Sequence, residues 1–298
     1  RRVAGSVGRA MALRYDTVSF LSDYGTADEF VGLVHSVIRS IAADVLVIDI
    51  THEIAPYDVR AGALTLARSA QYLAPGVVVA VVDPGVGTSR RPIAVEVGDG
   101  ASVLVGPDNG LLAPAVAMVG GASRAVELTN PAYQLPAPGP TFDGRDVFAP
   151  VAAHLCNGVP LHELGTDIDP ATLLPSMNPL TREESGGHEA EALWIDRFGN
   201  VQLNVDPDEL TVLGADVVRV VVGGRSRVAR RVEAFAELGV GEVGVLVDSY
   251  GLISIAADRT SAAEALDVAE GDAVRLEAVD DAGTSVTTPI QLRPRSEP

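Results

Sequence analysis

Lysine is absent: all 22 basic residues of the 298-residue chain are arginine. No lysine Schiff base can form, and no P-loop lysine is available to grip a phosphate. The single cysteine, Cys156, excludes an internal disulfide and a thiolate zinc site. Its apolar setting, AAHLCNG, predicts a buried and inert thiol. Aromatic residues make up only 4% of a chain that is 47% hydrophobic, so Val, Ala and Leu must fill the core. No apolar run reaches the length of a bilayer span, and the N-terminus lacks a signal-peptide apolar segment. A cytoplasmic protein without a membrane partner is expected. Residues 1–10, RRVAGSVGRA, have no structural period and read as a loose leader ahead of Met11. Positive charge is outnumbered: 22 arginines face 40 acids, for a net charge of -18. That balance opposes a nucleic-acid backbone or an anionic membrane as partner and leaves a cationic small molecule open.

The chain contains several short β-branched runs that end in an acid. Gly76–Val82 (GVVVAVV) reads as a strand buried on both faces, and Asp83 follows it on a Pro-Gly-Val-Gly turn leading to Arg90 and Arg91. Val18–Leu21 ends near Asp23, and Ser102–Val105 ends near Asp108. Val45–Ile50 reads as another buried strand, and Ile93–Val97 as a further one. Between them lie helical patterns at Ala27–Ala43, with Asp28 and Glu29 in the first turn, and at Val59–Leu73, Leu111–Val119 and Val147–Leu155. This alternation predicts an α/β N-terminal domain with a largely parallel sheet over residues 12–170. Residues 171–189, rich in Pro, Ser, Glu and Gly, read as a linker. From 190 to 298 the grammar changes to short strands with tight turns: Ala192–Val205, Val217–Val222, Arg227–Val232, Gly244–Val247, Leu252–Ala256 and Ala273–Ala278, with one helix at Ser261–Leu266. A small all-β barrel C-terminal domain is expected.

Asp23, Asp83 and Asp108 predict one sheet rim lined with carboxylates, which Asp143 and Asp146 could join. Two readings stay open on the residues alone. Clustered acids suit a hard divalent cation, although no DxD spacing is present and arginines are interleaved. A strand-end acid also suits a ribose diol, although no G-x-G-x-x-G follows a strand. The histidines, His35, His52, His154, His162 and His188, have no ligand-like spacing and read as structural or solvated. Ser22 and Ser249 have no neighbouring base in sequence, so a serine triad has no support. In the second domain Asp196, Phe198 and Asn200 of WIDRFGNVQLN could bind an amine, stack on a base and pair with its edge; a plain hairpin turn explains them equally well.

Seven segments in order, SDYGTADEFVG, THEIAPYDV, VVDPGVGTSRR, GPDNGLL, TFDGRDVFAPVAAHL, DRFGNVQLN and DSYGLISIA, resemble the S-adenosylmethionine (SAM) hydroxide adenosyltransferases, relatives of fluorinase and chlorinase. The resemblance runs from about Val18 to Ala278. It implies hydrolysis of SAM to adenosine and L-methionine, no cofactor, and a homotrimer with SAM between the first domain of one subunit and the second domain of its neighbour. Carried over, Asp23 binds the ribose hydroxyls, and Asp28, Tyr57 and Phe142 line the SAM pocket. Asp196 and Ser249 hold the methionine amino and carboxylate groups. Phe198 and Asn200 contact the adenine, with Tyr250 beside them. Asp83 and Arg90 match two members of the family's water-activating set. The third, a histidine in a TFHGRD-like motif, is Asp143 here. Three explanations stand: Asp143 serves as base, it is an introduced change, or hydrolysis is weakened. The expectation is retained SAM binding with altered or slowed hydrolysis. The alternatives are a SAM- or adenosine-binding protein with little catalysis, a SAM-dependent halogenase relative, and a metal-dependent phosphohydrolase. Asp83 opposes the halogenase, because a carboxylate repels halide.

Overall fold

The computed structural model describes residues 13–176, 181–184, 186–212 and 216–279. The expected leader, Met11, parts of the 171–189 segment and residues 280–298 lie wholly or partly outside the described residues. The chain divides into two compact units, Arg1–Asn178 and Pro179–Pro298.

The first unit contains β1 (Thr17–Ser22), α1 (Phe30–Ile41), β2 (Leu46–Thr51), α2 (Val59–Ala70), β3 (Val77–Val81), β4 (Pro92–Val97), β5 (Ser102–Pro107), α3 (Ala113–Met118), β6 (Ala122–Glu127), α4 (Ala149–Cys156) and β7 (Thr166–Ile168). They form one sheet in the order β2-β1-β3-β5-β4-β6-β7. The first four strands are parallel and the last three run on antiparallel. β3 lies in the middle of the parallel part. Its Val77, Val79 and Val81 enter the core shared with Val34 and Ile38 of α1 and with α4. Val78, Ala80 and Val82 enter the opposite core with Ala63 and Leu66 of α2 and Ala115 of α3. This period-two division makes the sheet the middle layer of three. Each fully buried valine contributes about 1.5–3 kcal/mol.

Three expectations need correction. β2 is not buried on both faces: it is the sheet edge, and Leu46 and Ile48 are 59% and 40% exposed. The helix expected from Ala27 starts at Phe30, so Asp28 and Glu29 precede its first turn. The helix expected from Val147 is preceded by a π turn, Gly144–Phe148, and only then continues as α4. β6 was not expected.

The second unit contains β8 (Arg182–Glu184), β9 (Gly187–Ile195), β10 (Val201–Leu203), α5 (Pro207–Val212), β11 (Val217–Val222), β12 (Arg225–Arg231), β13 (Val243–Val247), β14 (Ile253–Ala257), α6 (Ala262–Leu266) and β15 (Ala273–Ala278). The order β10-β14-β13-β12-β11-β15-β9 closes through the β9–β10 pairing into a seven-stranded barrel, with β8 outside β9. Closure removes the sheet edges and gathers Leu203, Val220, Val245, Ile255 and Leu276 inside. The single run expected at Ala192–Val205 is two strands, because Asp196–Asn200 turns the chain between β9 and β10. β8 and the start of β9 fall in the segment read as linker. α5 was also unexpected.

Candidate active site

In the first unit the site grows from the carboxyl ends of β1 and β3. β3 delivers Asp83 to the sheet rim, and the following turn brings Arg90 back onto it. Val86 N–H bonds to Asp83 O at 3.2 Å, and Thr88 Oγ1 bonds to Gly85 O at 2.6 Å. Gly87 makes the next step possible. It has φ +76°, and a Cβ there would lie 2.7 Å from Pro140 O. The glycine thus lets this turn pack against the segment that carries Asp143. The close approach is to the chain itself.

Arg90 is the centre of the arrangement. Its Nε donates to Asp83 Oδ1 at 2.9 Å, and its Nη2 donates to Asp83 Oδ2 and to Asp143 Oδ2. One guanidinium therefore stands between two carboxylates. The Asp83, Arg90 and Asp143 side chains are 5%, 11% and 17% exposed. Beneath the guanidinium lies the Phe148 ring, 5.5 Å from Cζ. Burial alone would lower the Arg90 pKa, but the bonds from Asp83 and Asp143 raise it, so the group stays charged.

Asp23 follows β1. Its N–H bonds to Val81 O at 3.3 Å, which ties the two strand ends together. Its Oδ2 accepts the Tyr57 N–H at 2.9 Å, and Tyr57 takes a left-handed φ of 71°. Burial pushes the Asp23 carboxyl up, and the Tyr57 N–H only partly offsets this. A cavity of about 450 Å³ opens here, lined by Asp23, Asp28, Tyr57, Asp83, Phe142 and Asp143, together with Tyr24, Phe30, Val86 and Thr141. Asp28 reaches it because α1 begins two residues later. Tyr24, Phe30 and Phe142 form an aromatic wall, with centroids 5.1–5.6 Å apart. Burial raises the Tyr24 hydroxyl pKa well above its ordinary value, so it remains a neutral donor.

The second unit carries its own cavity of about 490 Å³, lined by Asp196, Phe198, Asn200, Ser249 and Tyr250, with Trp194, Gln202, Phe235 and Asp248. Asp196 organises the β9–β10 turn. Its Oδ1 accepts Phe198 N–H at 2.8 Å and Asn200 N–H at 2.9 Å, and its Oδ2 accepts Asn200 Nδ2 at 2.7 Å. Three of about four lone-pair sites are thus used within the loop. Asp248 does the same after β13: its Oδ1 accepts Tyr250 N–H at 2.8 Å, and its Oδ2 takes Gln202 Nε2 at 2.5 Å. Phe198 is 78% exposed.

Not every strand-end acid joins the rim. Asp108 is buried against Arg91, with Nε at 2.9 Å, and accepts Leu174 N–H at 2.8 Å. Asp146 is paired by Arg145 at 2.7 and 2.8 Å. These two acids hold structure together, and the carboxylate rim reduces to Asp23, Asp83 and Asp143. Cys156 is buried, with its thiol pushed up to about 12, as an inert thiol should be. Ser22 does have a base in space: its Oγ lies 2.8 Å from His52 Nδ1. The hydroxyl is fully buried, so it cannot attack a substrate. Residues that sequence reasoning missed are mostly aromatic: Tyr24, Phe30, Trp194 and Phe235. Tyr24, Phe30 and Trp194 lie inside the quoted motifs, but nothing in their spacing marks them as cavity walls.

A mostly parallel α/β unit followed by a closed seven-stranded barrel, with a carboxylate–guanidinium cluster at the sheet rim and an aromatic-lined cavity on the barrel, defines a two-domain class of proteins. The SAM hydroxide adenosyltransferase N-terminal domain matches residues 18–165, and the corresponding C-terminal domain matches residues 190–275. The chain belongs to this family. It is 46% identical to an (R)-S-adenosyl-L-methionine hydrolase of Salinispora tropica, over 88% of this chain and 97% of that protein. It is 42% identical to a protein of the same name from Thermus thermophilus, over 87% and 98%. A fluorinase of Actinopolyspora mzabensis is more distant, at 27% over 87% and 96%. Among solved structures, an uncharacterized conserved protein from Thermotoga maritima superposes with a TM-score of 0.81 at 35% identity, covering 87% of this chain and 99% of that one.

Proposed function

We propose that this protein hydrolyses S-adenosyl-L-methionine to adenosine and L-methionine. The observation that carries the reading is a cavity wall that presents Asp23, Asp83 and Asp143, the last two bridged by Arg90. The leaving group is a neutral thioether departing from a sulfonium, so it needs no acid. The nucleophile needs help: a water must be held in line with the C5′–S bond and lose a proton. Asp83 and Asp143, fixed by Arg90, supply acceptors for that proton. Adenosine takes the hydroxyl at C5′, methionine keeps the C5′–S electron pair, and the proton passes through a carboxylate to solvent.

The remaining residues divide by chemistry. Asp23 takes the ribose hydroxyls, and Asp28, Tyr57 and Phe142 line the pocket around them. Asp196, through its remaining lone pair, and Ser249 hold the methionine amino and carboxylate groups. Phe198 and Asn200 take the adenine, and Tyr250 closes the pocket beside them. No cofactor is invoked. The working form is a homotrimer whose sites combine the first unit of one chain with the second unit of another. Exposed Leu46 and Ile48 on the edge strand, and the exposed Tyr57 and Phe198 at their cavities, support that assembly. A cytoplasmic setting accompanies it, in keeping with a lone buried thiol.

Incubation with SAM in ¹⁸O water tests the reaction. Adenosine labelled at C5′, plus methionine, is the expected result. The relatives are named for the (R) form, so both sulfonium epimers belong in the assay. A 5′-chloro product in added chloride, or SAM bound without products, overturns the reading. Sedimentation giving anything but three chains overturns the assembly.

A further inference from the structure

Next to the Asp23 loop, three side chains from separate elements converge. His35 comes from α1, Asp49 from β2 and His52 from the loop after β2. Their potential ligand atoms all lie within 4.8 Å of one another. His35 Nε2 is 2.8 Å and His52 Nε2 is 3.0 Å from the same oxygen, Asp49 Oδ1. The His52 side chain is 5% exposed, and its Nε2, 3.0 Å from that oxygen, is not aligned for a full hydrogen bond to it. A plain hydrogen-bonded cluster accounts for His35 fully and for this buried ring nitrogen only in part. Native proteins seldom leave such an atom unsatisfied.

We propose that His35, Asp49 and His52 form a binding site for a late first-row divalent cation of the zinc type. Two imidazoles and one carboxylate match that ion's ligand preferences. With metal–ligand distances of about 2.0–2.2 Å, ligand atoms at tetrahedral angles stand roughly 3.3–3.5 Å apart. The two nitrogen–oxygen separations need to open by only about half an ångström, within reach of small side-chain rotations. Ser22 Oγ, 2.8 Å from His52 Nδ1, fixes the ring and leaves Nε2 as the free lone pair when Nδ1 carries the proton. The Phe20 ring, 4.6 Å from the His52 ring and 6.2 Å from that of His35, supplies an apolar floor. Asp49 and His35 are 42% and 35% exposed, which gives an entry path and room for a water as fourth ligand.

The site lies outside the substrate cavity, and its role is positioning. Gly25 N–H bonds to His52 O at 2.7 Å, and Tyr57, farther along the same loop, holds Asp23. The ion staples α1, β2 and this loop, and so steadies the Asp23 end of the cavity. The proposal stands apart from the SAM reading, because its test needs no turnover.

The full chain is stripped with chelator, dialysed against Zn²⁺ and then against metal-free buffer, and its metal content measured. Cobalt(II) serves as a visible-absorption probe, and melting is followed with and without Zn²⁺. About one ion per chain, a tetrahedral cobalt spectrum and a Zn²⁺-dependent rise in melting temperature are expected. His35→Gln and Asp49→Asn alter exposed groups, so both should fold, with circular dichroism as the check. Each should weaken binding at least tenfold. Failure of the wild-type chain to retain stoichiometric metal overturns the proposal. Equal retention by both variants also overturns it, since the ion then sits elsewhere.

Discussion

Arg90→Met isolates the feature on which the proposed chemistry depends. The substitution keeps a long apolar stem over Phe148 and removes three charge-assisted hydrogen bonds, two to Asp83 and one to Asp143. Water cannot readily take their place, because Asp83 is 5% and Asp143 17% exposed. Removing one partner of a buried ion pair costs about 3–5 kcal/mol. Here one cation serves two anions, which pushes the cost up, and the partial access of Asp143 pulls it down. A loss of about 3–4 kcal/mol is expected. For a unit of this size each kcal/mol moves the melting temperature by about 2–4 °C, so the fall should be about 6–16 °C at pH 7. Thermal unfolding of the purified protein reads it directly. Adding Asp143→Asn to Arg90→Met should return about 1–2 kcal/mol, because one unpaired buried charge is gone. SAM hydrolysis should fall at least a hundredfold in either variant. A change under 1 kcal/mol, or a double variant no more stable than the single, would show that Arg90 does not hold two buried carboxylates together.

Asp143→His should raise SAM turnover at neutral pH at least tenfold, because an imidazole titrating near neutrality is the better general base; an unchanged rate would mean that the proton does not leave at position 143. Burial raises the Asp23 pKa, and its proposed role in binding the ribose hydroxyls uses the ionised form. The acid limb of kcat/KM should therefore lie at higher pH than an ordinary aspartate gives, falling as pH drops through that pKa, and Asp23→Asn should abolish it. An acid limb that survives Asp23→Asn refutes the assignment. Gly144→Ala places a Cβ 2.1 Å from Tyr24 Oη, so the tyrosine must leave the cavity wall; overpacking should cost about 1–3 kcal/mol and raise KM. Tyr24→Phe in the same chain should recover part of both, and no recovery would place the strain elsewhere.

The parallel strands were the most legible part of the fold, with one misreading that has a physical reason. GVVVAVV and VLVIDI look alike as apolar runs, yet the first is β3, buried on both faces, and the second is an edge strand. An apolar run reports affinity for a core. It does not report how many neighbours the strand has, and an edge that another surface covers reads the same way. β6 escaped for the converse reason. Its Ser123 and Arg124 face outward, and Ala125 and Val126 alone are too short a signal. At the site, Asp83 and Arg90 are seven residues apart across a turn, so their meeting is local and readable. Asp143 joins them from 53 residues beyond Arg90, through the close approach of Gly87 to Pro140, and the residues alone offered it only as one of two acids that could join the rim. His35, Asp49 and His52 were unreadable as a group, because helix α1 and strand β2 bring them together with no regular spacing.

The charge of the rim decides which nucleophile suits it. Asp23, Asp83 and Asp143 line the cavity, and Arg90 is the cation bonded to two of them. A sulfonium cation is drawn to such a wall. An anionic nucleophile is not: a halide about 4 Å from one uncompensated carboxylate meets roughly 4 kcal/mol of repulsion at an effective dielectric constant of 20. Water avoids this penalty by entering neutral and becoming anionic only when a carboxylate takes its proton. As hydroxide forms, that carboxylate is neutralised, so the negative charge moves onto the nucleophile and does not add to the wall. The arginine keeps the second carboxylate compensated through the step. The same acids that hinder halide therefore support water, and replacing Asp83 by a neutral residue should lower hydrolysis more than it lowers SAM binding.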